Sequence, residues 1–146
     1  VVLGTAPPEP APAPSRVASA ASSARSKKDL TSIAWLDSEP TARARARREG
    51  LPLLVWFHAE WDAASAQMAR SVWTDPAVIE AARPFVALRL DVTETEGDSE
   101  RYAERYAIRA VPTTILFAPG GSRVETFTGT VDPSHLVIAL RAAAVP

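Results

Sequence analysis

The chain contains no cysteine. That excludes disulfide scaffolds, thiolate metal centres and any reaction that begins with attack by a sulfur nucleophile. It leaves the compartment open, because a thiol-free chain tolerates oxidising and reducing surroundings alike. A strong excess of either charge is also missing. The formal net charge is −1, so no bulk field draws the protein to nucleic acid or to an acidic membrane. No run approaches the ~18–20 consecutive apolar residues that span a bilayer as a helix. What is present is ordinary for a folded domain: 47% hydrophobic and 23% charged residues in a chain of 146. That length suits one domain plus an appendage.

Composition divides the chain. Residues 1–29 are rich in Ala, Pro and Ser, with Pro7, Pro8, Pro10, Pro12 and Pro14 close together. Such a segment buries too little apolar surface to offset its ordering entropy, and it is expected to be a flexible tether. The opening Val1-Val2-Leu3-Gly4-Thr5-Ala6 reads either as the tail of a secretory leader or as a segment cut at an arbitrary point. A tether behind a leader or anchor implies reach from a membrane. Residues 30–146 are the expected domain. Fourteen arginines against two lysines match the usage of GC-rich bacterial genomes.

Ser38 or Thr41 can cap a helix ending near Glu49, with Gly50 as its stop. Leu51 to Phe57 is unbroken by polar residues, as in a central strand covered on both faces. Asp62 opens a helix that aligns Ala64, Met68 and Val72. Thr74-Asp75-Pro76 caps a further short helix through Ala82. Phe85 to Val92 alternates as a strand, with Phe85, Ala87 and Arg89 opposite Val86, Leu88 and Leu90. An acidic loop leads into a helix bearing Tyr102 and Tyr106. Thr113–Ala118 and Arg123–Thr128 flank Pro119-Gly120-Gly121 as an antiparallel hairpin, and Asp132-Pro133 starts a last helix with Leu136 and Leu140 inside. The order predicts an α/β fold, a mixed central sheet flanked by helices on both faces.

Three segments carry a family resemblance. Leu53-Leu54-Val55-Trp56-Phe57-His58-Ala59-Glu60-Trp61-Asp62-Ala63-Ala64-Ser65 resembles a thioredoxin strand running into its active-site helix. Ala110-Val111-Pro112-Thr113-Thr114 is similar to the loop whose proline is cis in that family, and Thr126-Phe127-Thr128-Gly129 to its last strand. Leu90-Asp91-Val92-Thr93 and Trp73-Thr74-Asp75-Pro76-Ala77-Val78 narrow the resemblance to the periplasmic C-terminal domain of DsbD-type thiol:disulfide interchange proteins. The resemblance covers roughly residues 33–143. It implies a thioredoxin-like fold and, in an intact member, a Cys-x-x-Cys motif directly after Trp61. Here Asp62 and Ser65 hold the two cysteine positions, and Trp56 holds the position of a buried acid that assists proton transfer in many thioredoxins. Neither a carboxylate nor a serine hydroxyl exchanges with a disulfide.

The resemblance therefore implies a redox-inactive, protein- or peptide-binding module, periplasmic or otherwise extracytoplasmic in setting. No catalytic residue, metal or cofactor is assigned, and no nucleic-acid partner. Trp61, Asp62, Ala63, Val111 and Pro112 form the expected binding groove, with backbone beside the proline pairing to an extended peptide as an added strand. Asp62 is expected to cap its helix, worth about 0.5–2 kcal/mol. Two alternatives belong to other classes. One is a structural or assembly domain docking through the basic helix (Arg43, Arg45, Arg47, Arg48) or a sheet edge. The other is a non-thiol enzyme using Asp62 or His58. No recognised metal-ligand spacing joins His58, Glu60 and Asp62, and the acidic stretch Asp91–Glu100 lacks the offsets of a calcium loop.

Overall fold

The computed structural model describes residues 32–145, so the expected tether, residues 1–29, lies outside the described residues. The elements are β1 (Trp35–Leu36), α1 (Glu39–Glu49), β2 (Leu53–His58), α2 (Ala63–Ser71), α3 (Pro76–Ala82), β3 (Val86–Asp91), α4 (Asp98–Tyr106), β4 (Thr113–Phe117), β5 (Arg123–Thr128) and α5 (Pro133–Ala143). The expected order holds, with one addition: a two-residue strand precedes the first helix.

The sheet runs β1-β3-β2-β4-β5. β2 lies parallel to β3 and antiparallel to β4, and β1 joins the outer edge of β3 in parallel. The unbroken apolar run of β2 is explained by its place: hydrogen-bonded on both edges and covered on both faces. Leu54 and Trp56 join Ala87 and Leu116 in one core, packed by Met68, Val78, Leu136 and Leu140 from α2, α3 and α5. Leu53, Val55 and Phe57 face the opposite way, into a second core with Leu88, Ile115 and Phe117. Ala42 and Ala46 of α1 and Tyr106 of α4 cover that one. Alternation along β3 separates Ala87 from Val86, Leu88 and Leu90 as its sequence predicts.

The local stop and start signals are realised. Ser38 caps α1, and Gly50 ends it in the left-handed region at φ 64°, where a Cβ would be strained. Asp75 accepts from Ala77 N and Val78 N at the head of α3, and Asp132 from Ser134 N at the head of α5.

The basic helix departs from a plain solvated face. Glu39, 4% exposed, is buried in the first turn of α1. Its carboxylate accepts from the Tyr106 hydroxyl, from Arg105 Nη1 at 2.5 Å and from Arg43 Nε at 3.4 Å, while Arg43 Nε also meets Tyr106 Oη at 2.8 Å. This network fastens α1 to α4 across the second core. Burial pushes Glu39 upward, but the Tyr106 and Arg105 hydrogen bonds and the flanking arginines outweigh it and hold its pKa below the ordinary 4.5. Burial and the same carboxylate push Tyr106 up to about 12.

Removing Glu39 strands a buried tyrosine hydroxyl and loosens two arginines. Glu39→Ala is expected to lower the unfolding free energy by about 2–4 kcal/mol in urea denaturation. A lowered folded-state pKa contributes stability above the unfolded value and loses it below. The advantage of wild type over Glu39→Gln is therefore expected in full above pH 4.5 and to shrink as pH falls through the lower folded value.

Candidate functional site

The sheet register brings the predicted groove residues to one end of the molecule. His58 ends β2 opposite Asp91 of β3, and Phe57 pairs with Thr113, the first residue of β4. The segments 59–62, 92–97 and 110–112 therefore leave the sheet at its same edge.

Asp62 is the N-cap of α2, with extended backbone angles, and its Oδ2 accepts from Ser65 N at 2.7 Å. The same oxygen accepts from Ser65 Oγ at 2.9 Å. Ser65 Oγ in turn accepts from Ala59 N at 3.3 Å. Asp62 and Ser65 are thus joined by hydrogen bonds across the first turn of α2. Ser65 is buried and its hydroxyl is engaged as both donor and acceptor. His58 is not among these partners, so the ingredients of a Ser–His nucleophile pair are present without the contact that would activate it.

His58 stacks on Trp56 instead, ring centroids 4.6 Å apart. Partial burial lowers its pKa below 6.5, aided by Arg89 and opposed by Asp91, Asp37 and Glu60. Trp56 packs with Trp35 at 5.8 Å and Trp73 at 5.6 Å, and Trp35 meets Trp73 edge-on at 5.1 Å. Edge-to-face aromatic pairs contribute about 0.5–1.5 kcal/mol beyond burial. No group of three or more His, Asp or Glu side chains is placed to hold a metal ion among the described residues.

Trp61 is 65% exposed, yet its position is fixed. Its indole Nε1 donates to Thr93 O at 3.1 Å, and Glu60 N donates to Thr93 Oγ1 at 2.9 Å. Thr93 is held by Asp91, which accepts from both its N and its hydroxyl. Those hydrogen bonds, with neighbouring His58, outweigh burial and lower the Asp91 pKa. Thr93 is the functional residue that sequence reasoning missed. Asp91-Val92-Thr93 shows the signature of an Asx turn, but nothing local says that the turn's carbonyl meets an indole more than thirty residues away.

The Val111–Pro112 peptide bond is cis. Pro112 O accepts from Gly129 N at 2.7 Å, which ties the loop to the end of β5, and Thr113 Oγ1 donates to Ala110 O at 2.7 Å. Val111 is half-buried, and its N–H and C=O make no hydrogen bond among the described residues. Ala63, in the first turn of α2, is exposed.

Deleting the cap tests its structural part. Asp62→Ala is expected to cost about 1–2 kcal/mol in chemical denaturation, because Ser65 N and the buried Ser65 hydroxyl both lose their acceptor. Asp62→Asn, which keeps an acceptor oxygen, is expected to recover most of that loss.

Comparison with known proteins bears on this geometry. Residues 34–119 match the family described as thioredoxin-like. The chain is 34% identical over 118 residues to thiol:disulfide interchange protein DsbD 1 of Pseudomonas aeruginosa, covering 80% of this chain and 20% of that protein. It is 35% identical over 99 residues to human UBX domain-containing protein 4, covering 67% of this chain and 19% of that one. The chain thus spans about a fifth of the curated relatives it matches. Among solved structures, a Thermus thermophilus thioredoxin superposes with a TM-score of 0.66 at 27% identity, covering 76% of this chain and 86% of that one. The oxidised C-terminal domain of Neisseria meningitidis DsbD does so with a TM-score of 0.62 at 20% identity, covering 75% and 99%. With the matched segment holding β1 through β4, the chain belongs to the thioredoxin-like family, as a member without cysteine.

Proposed function

We propose that the domain is a redox-inactive binding module that holds a protein or an extended peptide at the edge formed by Trp61, Asp62, Ala63, Val111 and Pro112. The observation that carries this reading is Trp61: a large aromatic left 65% exposed while its indole N–H is fastened to Thr93. A rigid, exposed tryptophan gives contact area without the entropy cost of ordering it on binding. Val111 supports the same reading, because its unpaired N–H and C=O suit strand addition by an extended partner. An extracytoplasmic, periplasmic location is part of the proposal and draws on similarity to DsbD-type proteins. So is a membrane tether through the N-terminal segment.

A second reading, an assembly role through the sheet edge, draws on β5. Its outer edge has no partner strand among the described residues, and Val124 is 46% exposed. Along the basic helix Arg45 and Arg48 pair with Glu49, and Arg43 is engaged with Glu39 and Tyr106 through its Nε alone, so its charge is not presented as one continuous free face.

A photoreactive residue in place of Ala63 is expected to crosslink a recurrent partner in native extract, identified by mass spectrometry. Capture should fall about tenfold or more when Trp61 is also replaced by alanine. Binding left unchanged in a folded Trp61→Ala, Pro112→Ala double variant would remove the site from this edge. Capture that follows instead from a probe at Val124 would favour the assembly reading.

A further inference from the structure

We propose that an arginine-lined cleft at the other end of β2 binds a small anion with an apolar body, a carboxylate or phosphate monoester on an aromatic or aliphatic frame. The cleft, about 260 Å³, lies between α1 and the β4–β5 turn. Leu53 and Phe117, paired at the start of β2, lie in its lining, whereas the Trp61 edge begins beyond the Phe57–Thr113 pair. The two sites are thus separated by the length of the strand, and this inference does not depend on the binding role of Trp61.

Arg43 and Arg47 supply the charge. They sit four residues apart and share a face of α1. Arg43 is already oriented. Its Nε is held by Tyr106 Oη at 2.8 Å and Glu39 at 3.4 Å, and its guanidinium carbon lies 5.4 Å from the centre of the Phe117 ring. Its two terminal amino groups make no hydrogen bond among the described residues, and Arg47 forms no ion pair there, unlike Arg45 and Arg48. Arg123 lies 5.9 Å from the same ring and adds charge of the same sign nearby. No acidic residue lines the cleft. Glu39 shares its carboxylate with Arg105 and Tyr106, so it does not cancel Arg43 alone.

A fork fixed before the ligand arrives loses little freedom on binding, and guanidinium groups match the paired oxygens of carboxylate and phosphate. The rest of the lining, with Ala46, Leu53 and Phe117, is apolar enough to accept a ring or short chain behind the anionic head. Attraction between guanidinium groups and an anion at an open cleft is screened by salt, so recognition is expected to weaken as ionic strength rises.

Amide chemical shifts of the chain, followed by NMR during titration with benzoate, phenyl phosphate and the uncharged benzamide, test the site. Both anions, or one of them, should shift the Arg43, Arg47, Gly120 and Gly121 amides, with Kd on the order of 1 mM or tighter. The preferred head group then follows from which binds more tightly. Binding should weaken as salt is raised, weaken about tenfold in Arg47→Ala and be unchanged in Trp61→Ala. The proposal is overturned if benzamide shifts these amides as strongly as the anions, if neither anion shifts them, or if a folded Arg47→Ala variant binds as wild type does. The benzamide and salt comparisons use the wild-type chain, so they decide the matter even if Arg47→Ala fails to fold.

Discussion

β2 is held from four sides, by β3 and β4 along its edges and by the two cores above and below it. Every other placement follows from that confinement. Leu54 and Trp56 fix which helices cover one face, and Leu53, Val55 and Phe57 fix which cover the other. A one-residue slip would exchange the two sets and turn both cores inside out. Because β2 is parallel to one neighbour and antiparallel to the other, its C-terminal end meets the end of β3 and the start of β4. That is how residues more than thirty apart, Trp61 and Thr93, come to share a hydrogen bond.

Hydrogen bonds and ring packing, not covalent cross-links, hold the candidate site. Asp62 and Ser65 close the head of α2 with hydrogen bonds from a carboxylate to a backbone N–H and a hydroxyl. A carboxylate here also sits well in the field of the helix N-terminus. Beneath it, three tryptophans fill the first core where polar chemistry would need a charge or a water. The replacement carries a cost of its own. The indole nitrogens of Trp56 and Trp73 and the hydroxyl of Thr114 are buried without a hydrogen-bond partner among the described residues.

Much of the fold was legible because its signals are local. Ser38, Asp62, Asp75 and Asp132 each cap the helix that follows, and Gly50 ends α1 with the conformation a glycine adopts most readily. The continuous run in β2 and the alternation in β3 gave burial on two faces before any coordinates. What stayed hidden is long-range. Trp35 and Leu36 carry no strand pattern of their own; they become a strand only through pairing with Ala87 and Leu88. Glu39 reads as a solvated first-turn acid, and its burial comes from Arg105 and Tyr106, 66 and 67 residues away. In the candidate site, Asp62 and Trp61 were legible as a cap and an exposed aromatic, whereas the Thr93 anchor was not.

The chain's single methionine, Met68, lies fully buried on the inner face of α2, and there is no cysteine. All of the sulfur in this chain is therefore one sealed thioether. Peroxide and other sulfur-directed oxidants find no thiol to attack and no exposed methionine to convert to its sulfoxide. The shape of the Asp62–Ser65 junction is set by hydrogen bonds that have no oxidised form.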